Sequence, residues 1–240
     1  MVKADIIQMI CNDRKLQALA MCSFSQLFTE YGADFAIMKD YDQNNPHHHL
    51  DLLRHSIETA CNISSRGLSN QDFNELRIAA LLHDIGKPLT ARMKEDRTVY
   101  YGHPLESKLI AEKMLEDWSF SQSEITQICF YIQQHEMFIQ YGLPEEKDEQ
   151  GRKPIITLNS IHDCLSRVQR KAKAFIPQLD DFLKLIKLCI ADASAQASIV
   201  LYHGKYVDSS KVKVKRLLLI ERTIKEIKYA RDASSKSELT

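Results

Sequence analysis

FNELRIAALLHDIG, residues 73–86, is the stretch on which the fold turns. The apolar run Ile78–Leu82 passes without a break into His83 and Asp84, and Gly86 and Pro88 then close the segment. A run with this periodicity and no internal breaker reads as a buried helix. Asp72, with Glu75 three residues later, reads as its N-cap and capping box. A carboxylate as deep as Asp84 has to be paired or bound to a cation, because burying an isolated one costs several kcal/mol. His83–Asp84 is therefore the candidate centre of a site.

Outward from this helix the chain keeps the same character. With only 7 Gly and 6 Pro in 240 residues, long stretches can stay helical. Residues 4–40 read as two or three short amphipathic helices carrying Ile6, Ile7, Ile10, Leu16, Leu19 and Leu27 at helical spacing. DYDQNNP (40–46) is a loop, and a helix is expected from 46–49 to about Ile63 with Leu50, Leu53, Ile57 and Ala60 inward. SSRGLSNQD (64–72) breaks it. Residues 89–102 hold the one convincing β signal, a small hairpin turning near Glu95–Asp96. Further helices are expected at 104–117, 121–140, 157–174, 178–202 and 208–231, with EEKDEQGRKP (145–154) as an exposed loop. The expected fold is an all-α helical bundle with at most one small β-hairpin. It divides into a helical lead-in (1–44), a central domain (45–204) and a basic C-terminal helix and tail (205–240).

Charge and cysteine content narrow the function. Lys+Arg and Asp+Glu balance at 32 each, so no global field draws the protein to nucleic acid or an anionic membrane. The six cysteines form no CxxC pair, which argues against a zinc ribbon or a disulfide framework and for free thiols in a reducing compartment. The N-terminal residues do not read as a signal peptide, and no stretch approaches the ~20 apolar residues of a membrane helix. A cytoplasmic protein is expected.

His83–Asp84 needs partners, and the sequence offers them. His55 shares a face with the buried residues of its helix, and Asp192 in LCIADASAQ is another carboxylate in an apolar helix. Two imidazoles and two carboxylates from three helices suit a divalent metal with positions left for water and substrate. His103 in YYGHP and His135 in FYIQQHEMF are candidates for a second ion. Bridged by Asp84, a metal pair ~3.5–4 Å apart would clamp both the nucleophile and a phosphate oxygen.

The ordered set His55, His83-Asp84, His103, His135, Asp192 resembles the signature of HD-domain phosphohydrolases. NPHHHLDLLRH (45–55), LLHDIGKPLT (81–90), VYYGHPLESKLIAEKML (99–115) and the IADASAQ context of Asp192 resemble the HD domain of bacterial tRNA nucleotidyltransferases, the CCA-adding enzymes. The resemblance covers about 45–200, and 16–44 match the helical lead-in of that domain. It implies an all-α HD fold, one or two divalent ions (Mn, Fe, Co, Ni, Zn or Mg), and hydrolysis of phosphate esters by a metal-activated water. It further implies 2′,3′-cyclic phosphodiesterase and phosphatase activity on a nucleotide or RNA-end phosphate. No nucleotidyltransferase head is read in this sequence, so nucleotide addition to tRNA is not expected. HDIGK also occurs in HD-GYP cyclic-dinucleotide hydrolases, but the ordered GYP element is absent.

The resemblance extends to Lys87 as a ligand of a phosphate oxygen and to His48 as a substrate contact or proton donor. His103 and His135 are read as metal ligands, with contact to the substrate phosphate as the alternative. His47 and His49 are expected at the surface of a helix start, and His162 and His203 as structural or solvent-facing. Tyr100–Tyr101 read as hairpin packing rather than a base-stacking platform. From Lys205 to Arg231 there are nine Lys/Arg against three Asp/Glu. The favoured reading is a solvated helix covering the core with Leu217, Leu218, Ile220 and Ile224; the alternative is a weak RNA contact. Two rival functions stay open, a deoxynucleotide mono- or triphosphohydrolase and a non-catalytic RNA-binding or regulatory module with a structural metal.

Overall fold

The computed structural model describes all residues except 1, 46, 96, 145–153, 173–174, 203–204 and 238–240. The expected helix start at Pro46, the turn residue Asp96, most of the loop 145–154 and His203 lie outside the described residues. Among those described, twelve α-helices and two small hairpins form an all-α bundle.

The lead-in holds four α-helices rather than two or three: α1 (Lys3–Ile10), α2 (Asp13–Ala18), α3 (Phe24–Tyr31) and α4 (Ala33–Ala36). Gly32, at a φ of 92°, supplies the left-handed residue that separates the last two. Ile6, Ile10, Leu16, Leu19 and Leu27 are buried, and Ile7 is half-buried.

α5 (Leu52–Cys61) starts later than the apolar spacing suggests, because Asp51 takes the N-cap and accepts from the Arg54 N–H at 3.0 Å. Leu50 therefore precedes the helix. α6 (Asn70–Leu82) starts earlier: Ser69, not Asp72, caps it, accepting from the Asp72 N–H at 3.1 Å. Asp72 instead lies in the first turn, where its charge favours the helix N-terminus. α6 also stops at Leu82. His83 is its C-cap, so His83–Asp84 occupy the turn after the helix rather than the helix itself. The short α7 (Lys87–Thr90) follows, with Pro88 in its first turn.

The expected hairpin forms from β1 (Arg92–Lys94) and β2 (Arg97–Val99), with Met93 opposite Thr98. The Thr98 N–H donates to the Asn44 carbonyl at 3.1 Å and ties the hairpin to the 40–50 loop. α8 (His103–Asp117), α9 (Gln122–Gln134), α10 (Leu158–Lys171) and α11 (Leu179–Ala195) follow. The expected helix to residue 202 ends at Ala195, and a second hairpin, β3 (Ile199–Tyr202) with β4 (Lys205–Asp208), takes its place. The segment IVLY is β-branched and aromatic, which suits a strand. The Ala197 N–H also donates to the His47 carbonyl at 2.8 Å, drawing the chain off the helix path. α12 (Ser209–Ser237) closes the chain.

α11 is central, burying Phe182, Leu185, Ile186, Leu188 and Cys189 and packing against α5, α6 and α12. α12 covers it with Leu217, Ile220, Ile224 and Ile227, whereas Leu218 is 51% exposed and faces solvent, against expectation. No disulfide links the six cysteines, and no helix among the described residues is long and apolar enough to cross a membrane.

One glycine holds the site against α8. A Cβ on Gly86 would stand 2.5 Å from the Ser107 backbone nitrogen and 2.9 Å from the Glu106 carbonyl carbon. Its N–H donates to Ser107 Oγ at 2.9 Å. Gly86→Ala is expected to push α8 from the 83–86 turn and to cost about 1–3 kcal/mol, seen as a lower Tm in thermal unfolding. An unchanged Tm would show that α8 gives way freely.

Candidate metal centre

Three histidines are aimed by one device. His83 is the C-cap of α6 and His135 the C-cap of α9; each places Nδ1 against the carbonyl three residues back, Ala80 at 2.8 Å and Ile132 at 2.7 Å. His103, at the start of α8, places Nδ1 2.8 Å from the Tyr100 carbonyl. A carbonyl only accepts, so Nδ1 carries the proton in all three. Nε2 is left with a lone pair facing inward, the tautomer a metal ligand needs. The rings of His83 and His135 lie 5.0 Å apart, so the negative C-terminal ends of α6 and α9 converge on one point and favour a cation there. His55 comes from within α5, and Asp192 from the last turns of α11.

Asp84 stands between two groups. Its Oδ2 is 3.1 Å from His83 Nε2 and 3.6 Å from His55 Nε2; its Oδ1 is 3.0 Å from His103 Nε2 and 3.6 Å from His135 Nε2. Asp192 Oδ1 completes the first group, 3.0 Å from His55 Nε2 and 3.7 Å from His83 Nε2. His103 and His135 bring their Nε2 atoms within 3.3 Å. All six sequence-derived candidates thus converge: five form the groups His55–His83–Asp84 and Asp84–His103–His135 with Asp84 common to both, and Asp192 adjoins the first through His55 and His83.

The donor set fits divalent cations. His55 Nε2, His83 Nε2 and Asp84 Oδ1 are buried, yet no hydrogen bond reaches them. Their approaches of 3.0–3.7 Å are close but not aligned as hydrogen bonds, which is the pattern of ligand atoms gathered around an ion. Imidazole with carboxylate suits borderline transition metals. The electrostatics agree. Burial alone would push the Asp84 carboxyl up, but His83, Lys87 and His103 outweigh it and hold Asp84 well below the usual carboxylate range. Burial also opposes charge on Asp192, and His55 and His83 again prevail and lower it. Burial disfavours a charged His83, yet Asp84 and Asp192 raise it above the usual histidine range.

Lys87 is buried, not solvated. Its Nζ sits 2.6 Å from Asp84 Oδ2, donates to Gln43 Oε1 at 2.8 Å, and lies 5.5 Å from the centre of the Tyr100 ring. His48 packs edge-on against His55 with ring centres 4.8 Å apart, and its buried Nδ1 has no partner. Burial, then Lys87 and His55, lowers His48 to about 2. It is therefore neutral, and of its two expected roles a substrate contact suits it better than an imidazolium proton donor.

These groups open onto a cavity of about 460 Å³ whose lining includes His48, Asp84, Lys87, His103, His135 and Asp192. Other residues around the site were not singled out for it in sequence. Gln43 is buried and holds Lys87, and Tyr100 donates to the Gln43 carbonyl at 2.6 Å. Glu136 lines the cavity with its Oε1 4.0 Å from His103 Nε2, and its place directly after His135 was the one available clue. His47, expected at the surface, is half-buried and lines the cavity, as do Lys213 and Arg216 of α12. His49 and His162 face solvent as expected.

No curated protein matches the chain. Residues 52–157, which carry His55, His83, Asp84, His103 and His135, match the family model of the HD domain, and that match supports placing the chain in the HD superfamily.

Proposed function

We propose that this protein is a metal-dependent phosphohydrolase acting on phosphate esters of nucleotides, as a 2′,3′-cyclic phosphodiesterase and phosphatase. One observation carries the reading: Asp84 is shared by two buried ligand groups that open onto a cavity lined by cations. His55, His83, Asp84 and Asp192 would hold one ion, and Asp84, His103 and His135 a second. Bound there, divalent ions supply an activated water near neutral pH and a Lewis acid for a phosphoryl oxygen.

The protein's own groups do the rest. The Ala80, Ile132 and Tyr100 carbonyls keep three imidazoles in the ligating tautomer. Lys87, pinned by Gln43 and Asp84, places a fixed positive charge where a phosphate oxygen gains negative charge, with no reorganisation during the reaction. His48 offers a neutral ring nitrogen to the ester or the sugar. The cavity falls within the ~300–1,000 Å³ range of small-ligand sites and suits a nucleotide.

A deoxynucleotide mono- or triphosphohydrolase uses the same centre and is separated by substrate alone. A purely structural metal has no need of an open cavity and a buried lysine beside its ligands. The test is a panel of 2′,3′-cAMP, dAMP, dGTP and a plain phosphomonoester, with and without added metal. Turnover of 2′,3′-cAMP that requires metal supports the proposal. Turnover of dGTP or dAMP alone moves the activity to deoxynucleotides, and none on any substrate favours the non-catalytic module.

A further inference from the structure

The C-terminal helix turns its basic residues in two directions. Lys211 and Lys215 are exposed, but Lys213 and Arg216 lie on the side of α12 that buries Leu217, Ile220 and Ile224. Both line the cavity of the metal centre. A charge on the inward face of a helix costs desolvation, so it calls for a partner there. Lys213 Nζ donates to Gln196 Oε1, and Gln196 Nε2 donates to Asp192 Oδ1 at 3.2 Å. One glutamine side chain therefore links Lys213 to Asp192 of the candidate centre.

Two more basic groups meet them. Arg97 of β2 and His47 of the 40–50 loop line the same cavity. His47 is held from both sides, its carbonyl accepting from the Ala197 N–H at 2.8 Å and its Nδ1 lying 3.2 Å from Ser209 Oγ. Burial, then Lys213 and Arg97, lowers the pKa of His47, as expected of like charges crowded together. The cavity lining counts four cations (Lys87, Arg97, Lys213, Arg216) against three carboxylates (Asp84, Glu136, Asp192). Two of those carboxylates belong to the ligand groups, and bound divalent ions would add further positive charge.

We propose that Arg97, Lys213 and Arg216, with His47, form a second phosphate subsite, so that the preferred substrates carry a phosphate besides the one hydrolysed. The inference rests on the proposed phosphohydrolase function and names its substrate class: a nucleotide phosphorylated at both ends of its sugar, or an RNA end with its next internucleotide phosphate. Both offer the same chemistry to the rim.

The test has a binding arm and a kinetic arm. Adenosine 3′,5′-bisphosphate, 3′-AMP, 5′-AMP and the dinucleotide pApA are titrated by calorimetry into the full chain held in EDTA, where metal-dependent turnover is prevented. In parallel, kcat/KM is compared on the Mn²⁺-loaded chain for 2′,3′-cAMP with and without a 5′-phosphate. Wild type is expected to prefer the doubly phosphorylated ligand on the order of tenfold in each arm. Arg97→Gln/Arg216→Gln is expected to bring that ratio close to one, and each single variant to lower it part of the way, which keeps the test readable if the double variant folds poorly. Tighter binding of pApA than of the bisphosphate assigns the subsite to RNA ends, and the reverse to mononucleotides. Equal affinity of wild type for the mono- and bisphosphates, or an undiminished ratio in the variants, overturns the subsite. The expected binding ratios without hydrolysis of any substrate leave the subsite standing and count against the proposed activity instead.

Discussion

Asp84→Ala is expected to lose both metal ions and with them essentially all phosphodiesterase activity. No other side chain belongs to both ligand groups, so removing it takes an anionic ligand from each at once. The metal's contribution to the transition state is several kcal/mol, and at about 1.4 kcal/mol per factor of ten its loss lowers kcat/KM by at least ~10³-fold. The same change leaves Lys87 buried opposite no carboxylate, since Asp84 is its ion-pair partner at 2.6 Å. Breaking a buried pair from one side costs about 3–5 kcal/mol, so the variant should also unfold at lower temperature. Asp84→Asn, which keeps the shape, separates the effects: metal content and turnover should collapse while part of the stability returns. A variant that keeps its metal and its turnover would remove Asp84 from the centre.

Lys87→Met should affect activity by a different route. Methionine fills a similar volume without charge, so the ligand groups and their metal content are expected to persist. The loss is of one preorganised positive charge beside the reacting phosphate, an effect of ~10²–10³-fold in kcat. The measurement pairs metal analysis with steady-state kinetics on 2′,3′-cAMP. Normal metal content with depressed kcat places Lys87 on the phosphate, and loss of metal would make it a support for Asp84 instead.

The two carboxylates of the candidate centre were legible in the sequence because each sits against an apolar helical pattern. Asp84 ends the run Ile78–Leu82, and Asp192 interrupts an otherwise apolar helix, so burial and charge conflict at the residues that meet in space. Asp192 lies outside the segment matched by the HD family model, yet its context and its conflict with burial identified it. The helical bundle followed from the same periodicity. Helix ends were less legible, since Ser69 and Asp51 compete with neighbouring polar residues as caps and only backbone geometry decides between them. The second hairpin was hidden because IVLY is as apolar as a buried helix turn. Lys213 and Arg216 were missed for another reason. Their side of α12 depends on packing against α11, and in sequence they look like part of a solvated basic helix.

The central claim is that Asp84 joins two metal positions in a hydrolytic centre. Its most direct test is a metal titration of the chelator-stripped wild-type chain, with bound ions counted and 2′,3′-cAMP hydrolysis followed in the same samples. The structure leads us to expect no turnover in the stripped protein and activity that appears as two ions bind per chain. Hydrolysis undiminished after stripping, or full loading with no turnover, would contradict it.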